Sequence, residues 1–373
     1  MSMTDTAEMV ARISDWVRCE SPSHSRSDLL SMAMLLKDEA RRLQLNVSSI
    51  DLGAWTGPAV LITTRSDQQE QPGILVLAHY DTVHPIGTLT LNPCREHDGR
   101  LYGPGVYDMK AGIYLALKAI SEMPCGKGLP IDLLIVPDEE TGSHHSRCVI
   151  ERLAKRAQLA LVCEPARPNG GRCVTARKGT GLIELRVHGR PSHAGMAHEK
   201  GRSAIRELAH QILVLEGLTN RDTGLTVSVG VVEGGTMTNV VPEHAQALAD
   251  VRIPDAQAAQ ELRRRLAAIQ SVDPDVEVSV ELRLNRPPMP RNSAQVELFE
   301  KACKVASMVG FTLEEASLTG GASDANFTAA LGVPTLDGIG ADGDGAHTMS
   351  EYICIDTLQP RLALWKQLLS QLS

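Results

Sequence analysis

Apolar runs alternate with segments of helical spacing through the first half of the chain. Apolar positions three to four residues apart predict helices over residues 9–17, 27–43, 109–123 and 148–156, with Ser27 as the N-cap of the second. Unbroken apolar runs predict strands over residues 47–52, 60–64, 74–78, 131–136 and 159–163. Such strands are typical of a sheet that is buried on both faces. The pattern therefore predicts an α/β fold with a mostly parallel sheet.

The pattern changes near Gly179. Strands are expected over residues 182–188, 225–232, 244–253 and 276–284, and helices over residues 201–217 and 256–270. This β-α-β-β-α-β order predicts a ferredoxin-like α+β domain. A proline-rich exit linker follows at residues 286–290, and helix–strand alternation returns over residues 294–309, 312–316, 333–336 and 357–372. We therefore expect residues 180–285 to be an insertion into one discontinuous domain, residues 1–179 and 286–373.

Composition narrows the class of protein. A net charge of −8 and an aromatic content of 3% argue against nucleic acid as a partner. No apolar run approaches the roughly 18 residues of a membrane span, and the first residues lack the pattern of a signal peptide. The eight cysteines include no C-x-x-C pair, which favours reduced thiols. We expect a cytoplasmic protein that binds neither nucleic acid nor membrane.

Polar residues with metal-ligand chemistry stand where the predicted strands end. In a parallel α/β sheet, side chains at the carboxyl ends of the strands converge on one crevice. Imidazoles and carboxylates meeting there would suit a pair of divalent metal ions. The residues concerned are His79, Asp108, Glu139, Glu140, Glu164 and His347.

The spacing of these residues suggests which of them bind metal, which orients a ligand and which accepts a proton. His79 and Asp81 are two apart on an extended segment, so the carboxylate can orient the imidazole. Glu139 and Glu140 are adjacent and cannot project identically, so one is expected to ligate and the other to accept a proton. The residues alone do not decide which glutamate does which. Asp108 could bridge two metals with its two oxygens.

The motifs around these residues resemble one known family, the co-catalytic zinc family of glutamate carboxypeptidases, aminoacylases, acetylornithine deacetylases and succinyl-diaminopimelate desuccinylases. The resemblance covers nearly the whole chain and is greatest to glutamate carboxypeptidases of the folate-hydrolysing type. It rests on the motifs His79-Tyr80-Asp81-Thr82-Val83, Gly103-Pro104-Gly105-Val106-Tyr107-Asp108-Met109-Lys110, Asp138-Glu139-Glu140-Thr141-Gly142-Ser143, Cys163-Glu164-Pro165, Ser192-His193-Ala194-Gly195, Thr238-Asn239-Val240-Val241-Pro242, Asp250-Val251-Arg252, Thr319-Gly320-Gly321 and Ala346-His347.

The resemblance implies a role for each matching position. It implies two Zn²⁺ ions, with Co²⁺ or Mn²⁺ as alternatives, and a cis peptide bond after the bridging aspartate. It implies that the inserted domain is a lid that forms a homodimer. The implied metal ligands are His79, Asp108 and Glu164 at one ion and Asp108, Glu140 and His347 at the other; the implied catalytic residues are Glu139 as general base, Asp81 as orienting acid and His193 as oxyanion donor; the implied substrate-binding residues are Asn239, Arg252, Arg286 and Gly321.

The expected reaction is hydrolysis of a C-terminal peptide or N-acyl amide bond. The expected substrate is a small molecule or dipeptide-like compound with a free carboxylate. An N-acyl-amino-acid deacylase is the closest alternative. A catalytically silent metal-binding dimer is a remote one, since the ligands, the base and the orienting acid are all present.

Overall fold

The computed structural model describes residues 3–66, 71–124, 128–168 and 170–372. The helices of these ranges are α1 (Met3–Val17), α2 (Arg26–Arg42), α3 (Thr88–Leu91), α4 (Ala111–Ser121), α5 (Arg147–Ala154), α6 (Ala204–Glu216), α7 (Ala256–Ala267), α8 (Ser293–Ser307), α9 (Ala325–Ala330) and α10 (Leu358–Gln371). The strands are β1 (Asn46–Ile50), β2 (Ala59–Thr63), β3 (Gly73–His79), β4 (Arg95–His97), β5 (Arg100–Tyr102), β6 (Ile131–Val136), β7 (Ala157–Val162), β8 (Gly179–His188), β9 (Ser192–His193), β10 (Thr226–Gly234), β11 (Val240–Val241), β12 (His244–Ile253), β13 (Glu277–Arg286), β14 (Thr335–Leu336), β15 (Gly343–Asp344) and β16 (Tyr352–Cys354).

The chain divides into two compact units. The first comprises Met1–Ala176, Arg291–Thr319 and Ser323–Ser373, and the second comprises Arg177–Pro290 with Gly320–Ala322. The second unit is wider than the 180–285 expected from the sequence. The backbones of Arg177 and Met289 exchange two hydrogen bonds of 3.0 Å, which carries the pairing beyond the ends of β8 and β13.

The first unit is built on a six-stranded sheet of order β1-β2-β6-β3-β7-β14. The pairs β6–β3, β3–β7 and β7–β14 are parallel, whereas β1–β2 and β2–β6 are antiparallel. Every residue of β3 and β6 is buried, as expected for apolar strands with helices on both faces. The predicted α/β fold with a mostly parallel sheet is confirmed.

The second unit is a four-stranded antiparallel sheet of order β10-β12-β8-β13. Alternate residues of β12 are buried, which is typical of a sheet with one covered face. Helices α6 and α7 supply that cover, with Leu208 and Leu262 in the shared core. The predicted β-α-β-β-α-β order is confirmed, with the two-residue strands β9 and β11 added to it.

Most differences from the expected elements lie at helix and strand ends. Ser27 is not an N-cap, because α2 begins at Arg26 and Ser25 occupies the cap position. The strand expected over residues 312–316 is also wrong, since only Glu315 pairs, in a single bridge to Cys173. The two-to-three-residue strands β4, β5, β15 and β16 form a separate small sheet that the sequence did not indicate.

None of the helices in the described ranges combines the length and apolar character needed to cross a bilayer. The cysteines of these ranges are free thiols, and Cys125 lies outside the described residues.

Candidate metal centre

Neighbouring parallel strands place the first two expected ligands. His79 is the last residue of β3, and Glu164 follows the end of β7, the strand paired with it. Both side chains are buried, and His79 Nε2 lies 3.8 Å from Glu164 Oε1. The carboxyl ends of adjacent parallel strands thus bring an imidazole and a carboxylate to one point.

Asp108 lies between two histidines. Its Oδ1 is 3.1 Å from His79 Nε2, and its Oδ2 is 3.3 Å from His347 Nε2. The residue sits in an irregular turn before α4, and its peptide bond to Met109 is cis, as the resemblance implied. Each carboxylate oxygen therefore faces a different imidazole, which is the arrangement a bridging ligand requires.

Glu140 and His347 complete a second group. Glu140 Oε1 lies 3.2 Å from His347 Nε2. Glu140 belongs to a short 3₁₀ turn after β6, and His347 lies on a loop with a left-handed φ of 64°. His347 is the most open residue of the cluster, with about half of its side chain exposed (51%).

The described residues contain two overlapping groups of ligand atoms here. One consists of His79, Asp108 and Glu164 and the other of Asp108, Glu140 and His347, with ligand atoms within 4.8 Å of one another in each. Glu139 is buried next to the cluster but belongs to neither group. The adjacent glutamates therefore occupy different positions, as their spacing predicted.

The carboxylates of the cluster crowd one another. Burial, followed by the charges of Asp108 and Glu139, raises the pKa of Glu164 well above its usual range. Burial also raises the pKa of Glu140, and the charge of Asp108 adds to the effect. Carboxylates held this close favour positive charge between them.

Contacts between the carboxylates and the two imidazoles shift the pKa of His347 and of Asp108 in opposite directions. Hydrogen bonds to Asp108 and Glu140 raise the pKa of His347 to about 11. Burial acts against the charged form of Asp108, but contacts with His347 and His79 hold its pKa below the usual range. The donor set therefore suits divalent cations, which supply more charge than protons do and accept both imidazole and carboxylate ligands.

Asp81 acts mainly on the glutamates. Its Oδ1 and Oδ2 accept hydrogen bonds of 3.1 Å from the backbone N–H groups of Glu139 and Glu140, and Ser23 donates to Oδ2 at 2.7 Å. The His79 imidazole lies closer to the Asp81 carbonyl, at 3.0 Å from Nδ1, than to its carboxylate, at 3.5 Å. The sequence indicated the contact with His79 but not the one with the glutamate turn.

Glu351 is a site residue that the sequence reasoning missed. Its carboxylate is fully buried and accepts hydrogen bonds from the backbone N–H groups of Gly105, Tyr107 and Asp108 at 2.8–3.0 Å. His84 Nε2 is a fourth partner at 2.8 Å. One carboxylate therefore holds the turn that carries Asp108. In the sequence Glu351 is an acidic residue directly before the short apolar run of β16, and no local pattern indicates that it binds this turn.

His193 and Asn239 lie together in the second unit. Val240 pairs with His193, and the Ala194 N–H donates to the Asn239 carbonyl at 2.9 Å. His193 is exposed, and its Nδ1 accepts from the N–H groups of Gly195 and Met196 at 3.2 and 3.1 Å. A neutral imidazole that accepts at Nδ1 carries its proton on Nε2.

The two expected substrate arginines lie on the two strands that flank β8 in the same unit. Arg252 on β12 and Arg286 on β13 both pair with Thr180 on β8, so they flank it in one row of the sheet. Arg252 contacts Asp250 at 2.8 Å and the Gly320 carbonyl at 3.3 Å. The Gly321 carbonyl accepts from Arg177 at 2.9 Å.

The His193–Asn239 pair lies far from the two arginines along the sheet of the second unit. The arginines lie at the start of β8, whereas β9, which carries His193, follows its end. The strand from Thr180 to His188 rises by about 26 Å at about 3.3 Å per residue. The second unit thus presents a histidine–asparagine pair and an arginine pair at opposite ends of its sheet.

Comparison with known proteins places these features in one family. The model of Peptidase family M20/M25/M40 matches residues 75–371. The chain belongs to this family. It is 30% identical over 306 residues to carboxypeptidase G2 of Pseudomonas sp. (strain RS-16), covering 80% of this chain and 74% of that one. It is 28% identical to succinyl-diaminopimelate desuccinylase of Paracoccus denitrificans, covering 74% and 76%. The crystal structure of aminopeptidase PepT from Bacillus cereus shares the fold, with a TM-score of 0.78, 22% identity and 98% coverage of both chains.

Membership of the M20 family settles the reaction class. The chain is a metal-dependent hydrolase of the peptidase and amidohydrolase kind, and the resemblance read from its motifs is confirmed. Relatives at about 30% identity include both carboxypeptidases and deacylases. Identity of this degree leaves the substrate to be argued from the site.

Proposed function

We propose that this M20 hydrolase cleaves a C-terminal peptide or N-acyl amide bond in a small substrate with a free α-carboxylate, in the manner of a glutamate carboxypeptidase. The observation that carries the proposal is the position of Asp108, whose two oxygens face two ligand groups. The likeness to carboxypeptidase G2 supports a carboxypeptidase activity, and the resemblance of the motifs to glutamate carboxypeptidases supports a preference for acyl-glutamates.

The ligand set fits two Zn²⁺ ions, with Co²⁺ or Mn²⁺ as the alternatives. His79, Asp108 and Glu164 would hold one ion, and Asp108, Glu140 and His347 the other. Imidazole and carboxylate ligands suit these borderline ions, and metal availability decides among them. When bound, two ions of this kind polarise the scissile carbonyl and make a water acidic enough to attack at neutral pH.

Glu139 is the proposed general base. It is buried beside the cluster, close enough for its charge to raise the pKa of Glu164, and it lies outside both ligand groups. Its backbone N–H donates to Asp81, which fixes the turn that carries it. Glu139 would take a proton from the attacking water and deliver it to the leaving nitrogen.

His193 is the proposed donor to the oxyanion that forms on the scissile carbonyl. Two backbone N–H groups occupy its Nδ1, which leaves Nε2–H as the donor on an exposed ring. A preset N–H donor of this kind stabilises developing negative charge without reorienting during the reaction. Asn239 is proposed to assist from the neighbouring strand.

Arg286 and Arg252 are the proposed anchors of the substrate carboxylate, with Gly321 beside them. The two arginines occupy one row of the sheet, on either side of Thr180, and Arg286 is buried (7% exposed). A planar guanidinium matches a carboxylate through paired hydrogen bonds. This anchor would select substrates with a free terminal carboxylate over their amides.

We propose that His193 acts in the active site of a partner subunit. A small substrate cannot span the roughly 26 Å that separate the two ends of β8. The edge strand β10 exposes Val231 and Val232, and α6 exposes Leu213, so an apolar pairing surface is present on the same unit. A two-fold homodimer through this surface would supply the histidine from the second chain.

The substrate proposal is tested with a panel of small compounds. Metal-loaded enzyme is incubated with folates, N-acyl-glutamates, dipeptides and N-acetyl-amino acids, and the products are measured by mass spectrometry. We expect kcat/KM to be highest for acyl-glutamates. Higher values for N-acetyl-amino acids would establish the deacylase alternative, which the likeness to a desuccinylase supports.

A further inference from the structure

Two exposed histidines face each other on the sheet of the second unit. His188 is the last residue of β8, and His244 is the first residue of β12 and its direct cross-strand partner. Both rings point away from the covered face, since their neighbours Val187 and Ala245 are buried. Neither histidine has a part in the proposed reaction.

The strand register explains why the two rings lie so close. The Gly189 N–H donates to the Glu243 carbonyl at 2.7 Å, which makes that pair a hydrogen-bonded one. Hydrogen-bonded and non-bonded pairs alternate along an antiparallel ladder, so His188 and His244 form a non-bonded pair. Side chains of such pairs approach more closely than those of bonded pairs.

The ring geometry suits chelation of one ion. His188 Nδ1 and His244 Nδ1 are 3.1 Å apart, and the ring centroids are 4.7 Å apart. Two nitrogens at this separation, each about 2.05 Å from a shared ion, subtend an angle of about 98° at that ion. This value lies between the square and the tetrahedral angle, so the separation of the two nitrogens is that of two neighbouring ligands of one metal ion.

Neighbouring charges favour a cation at this point. His188, Glu243 and His244 form a group in which one ligand atom of each residue lies within 4.8 Å of the others. On the side of β8 opposite β12, Glu277 of β13 is the cross-strand neighbour of His188. The nearby Arg186 is already paired with Glu184, so its charge is compensated.

We propose that His188, His244 and Glu243 form a second, surface site for a divalent transition-metal ion such as Zn²⁺. Two imidazoles and one carboxylate are sufficient protein ligands for such an ion, with water or another ligand at the remaining position. All three residues belong to the second unit, whereas the candidate catalytic ligands belong to the first. The two metal sites therefore share no ligand.

The test is equilibrium dialysis of untagged protein against graded Zn²⁺, with bound zinc measured by elemental analysis. We expect the wild type to saturate at one ion more per chain than His188→Ala, and His244→Ala to match His188→Ala. Glu243→Gln is expected to weaken the binding of this ion. The matched control is His210→Ala, which removes an exposed histidine from α6 of the same unit and should leave the stoichiometry unchanged.

A second variant isolates the surface site from the catalytic one. Asp108→Ala is expected to lose the catalytic ions and to retain one zinc per chain, which the added change His188→Ala removes. Circular dichroism checks that each variant is folded. Equal zinc content in folded wild type and His188→Ala would overturn the proposal, and so would an Asp108→Ala chain that binds no zinc.

Discussion

Replacing Glu351 tests how far one buried carboxylate controls the metal centre. Its Oε1 accepts from Tyr107 and Asp108, and its Oε2 accepts from Gly105 and His84. Glu351→Gln keeps one acceptor oxygen but turns an amide NH₂ toward two groups that donate. Glu351→Ala removes all four acceptor contacts.

The expected costs follow from these contacts. A buried donor left without a partner costs about 1–3 kcal/mol, so Glu351→Gln should lower the free energy of unfolding by about 2–6 kcal/mol. Leaving the four donors without an acceptor in Glu351→Ala should cost about 4–12 kcal/mol, which is most of the roughly 5–15 kcal/mol by which folded proteins are usually stable. Glu351→Gln is therefore the informative variant.

The decisive readout is metal affinity rather than stability. Because Glu351 binds the turn that carries Asp108, loosening that turn should displace the proposed bridging ligand. We expect Glu351→Gln to lose about 10–100-fold in metal affinity, the range seen when groups behind metal ligands are removed. Metal affinity is measured by competition with a chelator. Activity is measured as kcat at saturating metal, and stability is measured by unfolding in urea.

Glu39→Gln is the matched control. Glu39 is another buried glutamate of the first unit, and it accepts hydrogen bonds of 2.7 and 2.9 Å from Arg42 within α2. This variant should lose stability and keep its metal affinity. If Glu351→Gln behaves like Glu39→Gln, with stability reduced and metal affinity and kcat unchanged, the positioning role is refuted.

Four further predictions concern the proposed mechanism. Elemental analysis should find two more ions per chain in metal-loaded wild type than in Asp108→Ala; a difference of one ion, with full activity of the wild type, would contradict bridging. Glu139→Gln should retain the metals and lose most of kcat, whereas Glu140→Gln should weaken metal binding; reversed phenotypes would exchange the two roles. Arg286→Ala should raise KM for substrates with a free α-carboxylate and change little for their amides; equal effects would make the arginine structural. Mixing Glu139→Ala with His193→Ala chains should restore about a quarter of the wild-type sites if His193 acts in trans, because half the dimers are hybrids and half their sites are intact; no recovery would mean that it acts in cis.

The sequence predicted those parts of the fold that continuous local patterns determine. The apolar run from Ile131 to Val136 is a buried strand with those bounds, and β12 begins and ends at the residues predicted from the sequence. Candidate ligands such as His79 and Glu164 stood out because each directly follows an apolar run of the sequence. A strand followed by a polar residue is visible without knowledge of the packing.

The sequence could not show contacts that depend on packing between distant segments. Glu351 binds a turn some 240 residues earlier, and Asp81 binds two N–H groups 58 and 59 residues later. No local pattern marks a carboxylate as buried before the chain has folded. The strands β15 and β16 are too short to show an alternating period, so their small sheet was also missed.

The overlap of the two ligand groups also sets an order for their assembly during synthesis. The first group is complete once residue 164 has been made, whereas the second waits for His347. At about 5–20 residues per second, translation of the intervening 183 residues takes about 9–37 s. Throughout this interval a nascent chain has every candidate ligand of one group, while Asp108 and Glu140 of the other still lack their histidine. A chain that terminates before residue 347 can therefore form only the first group.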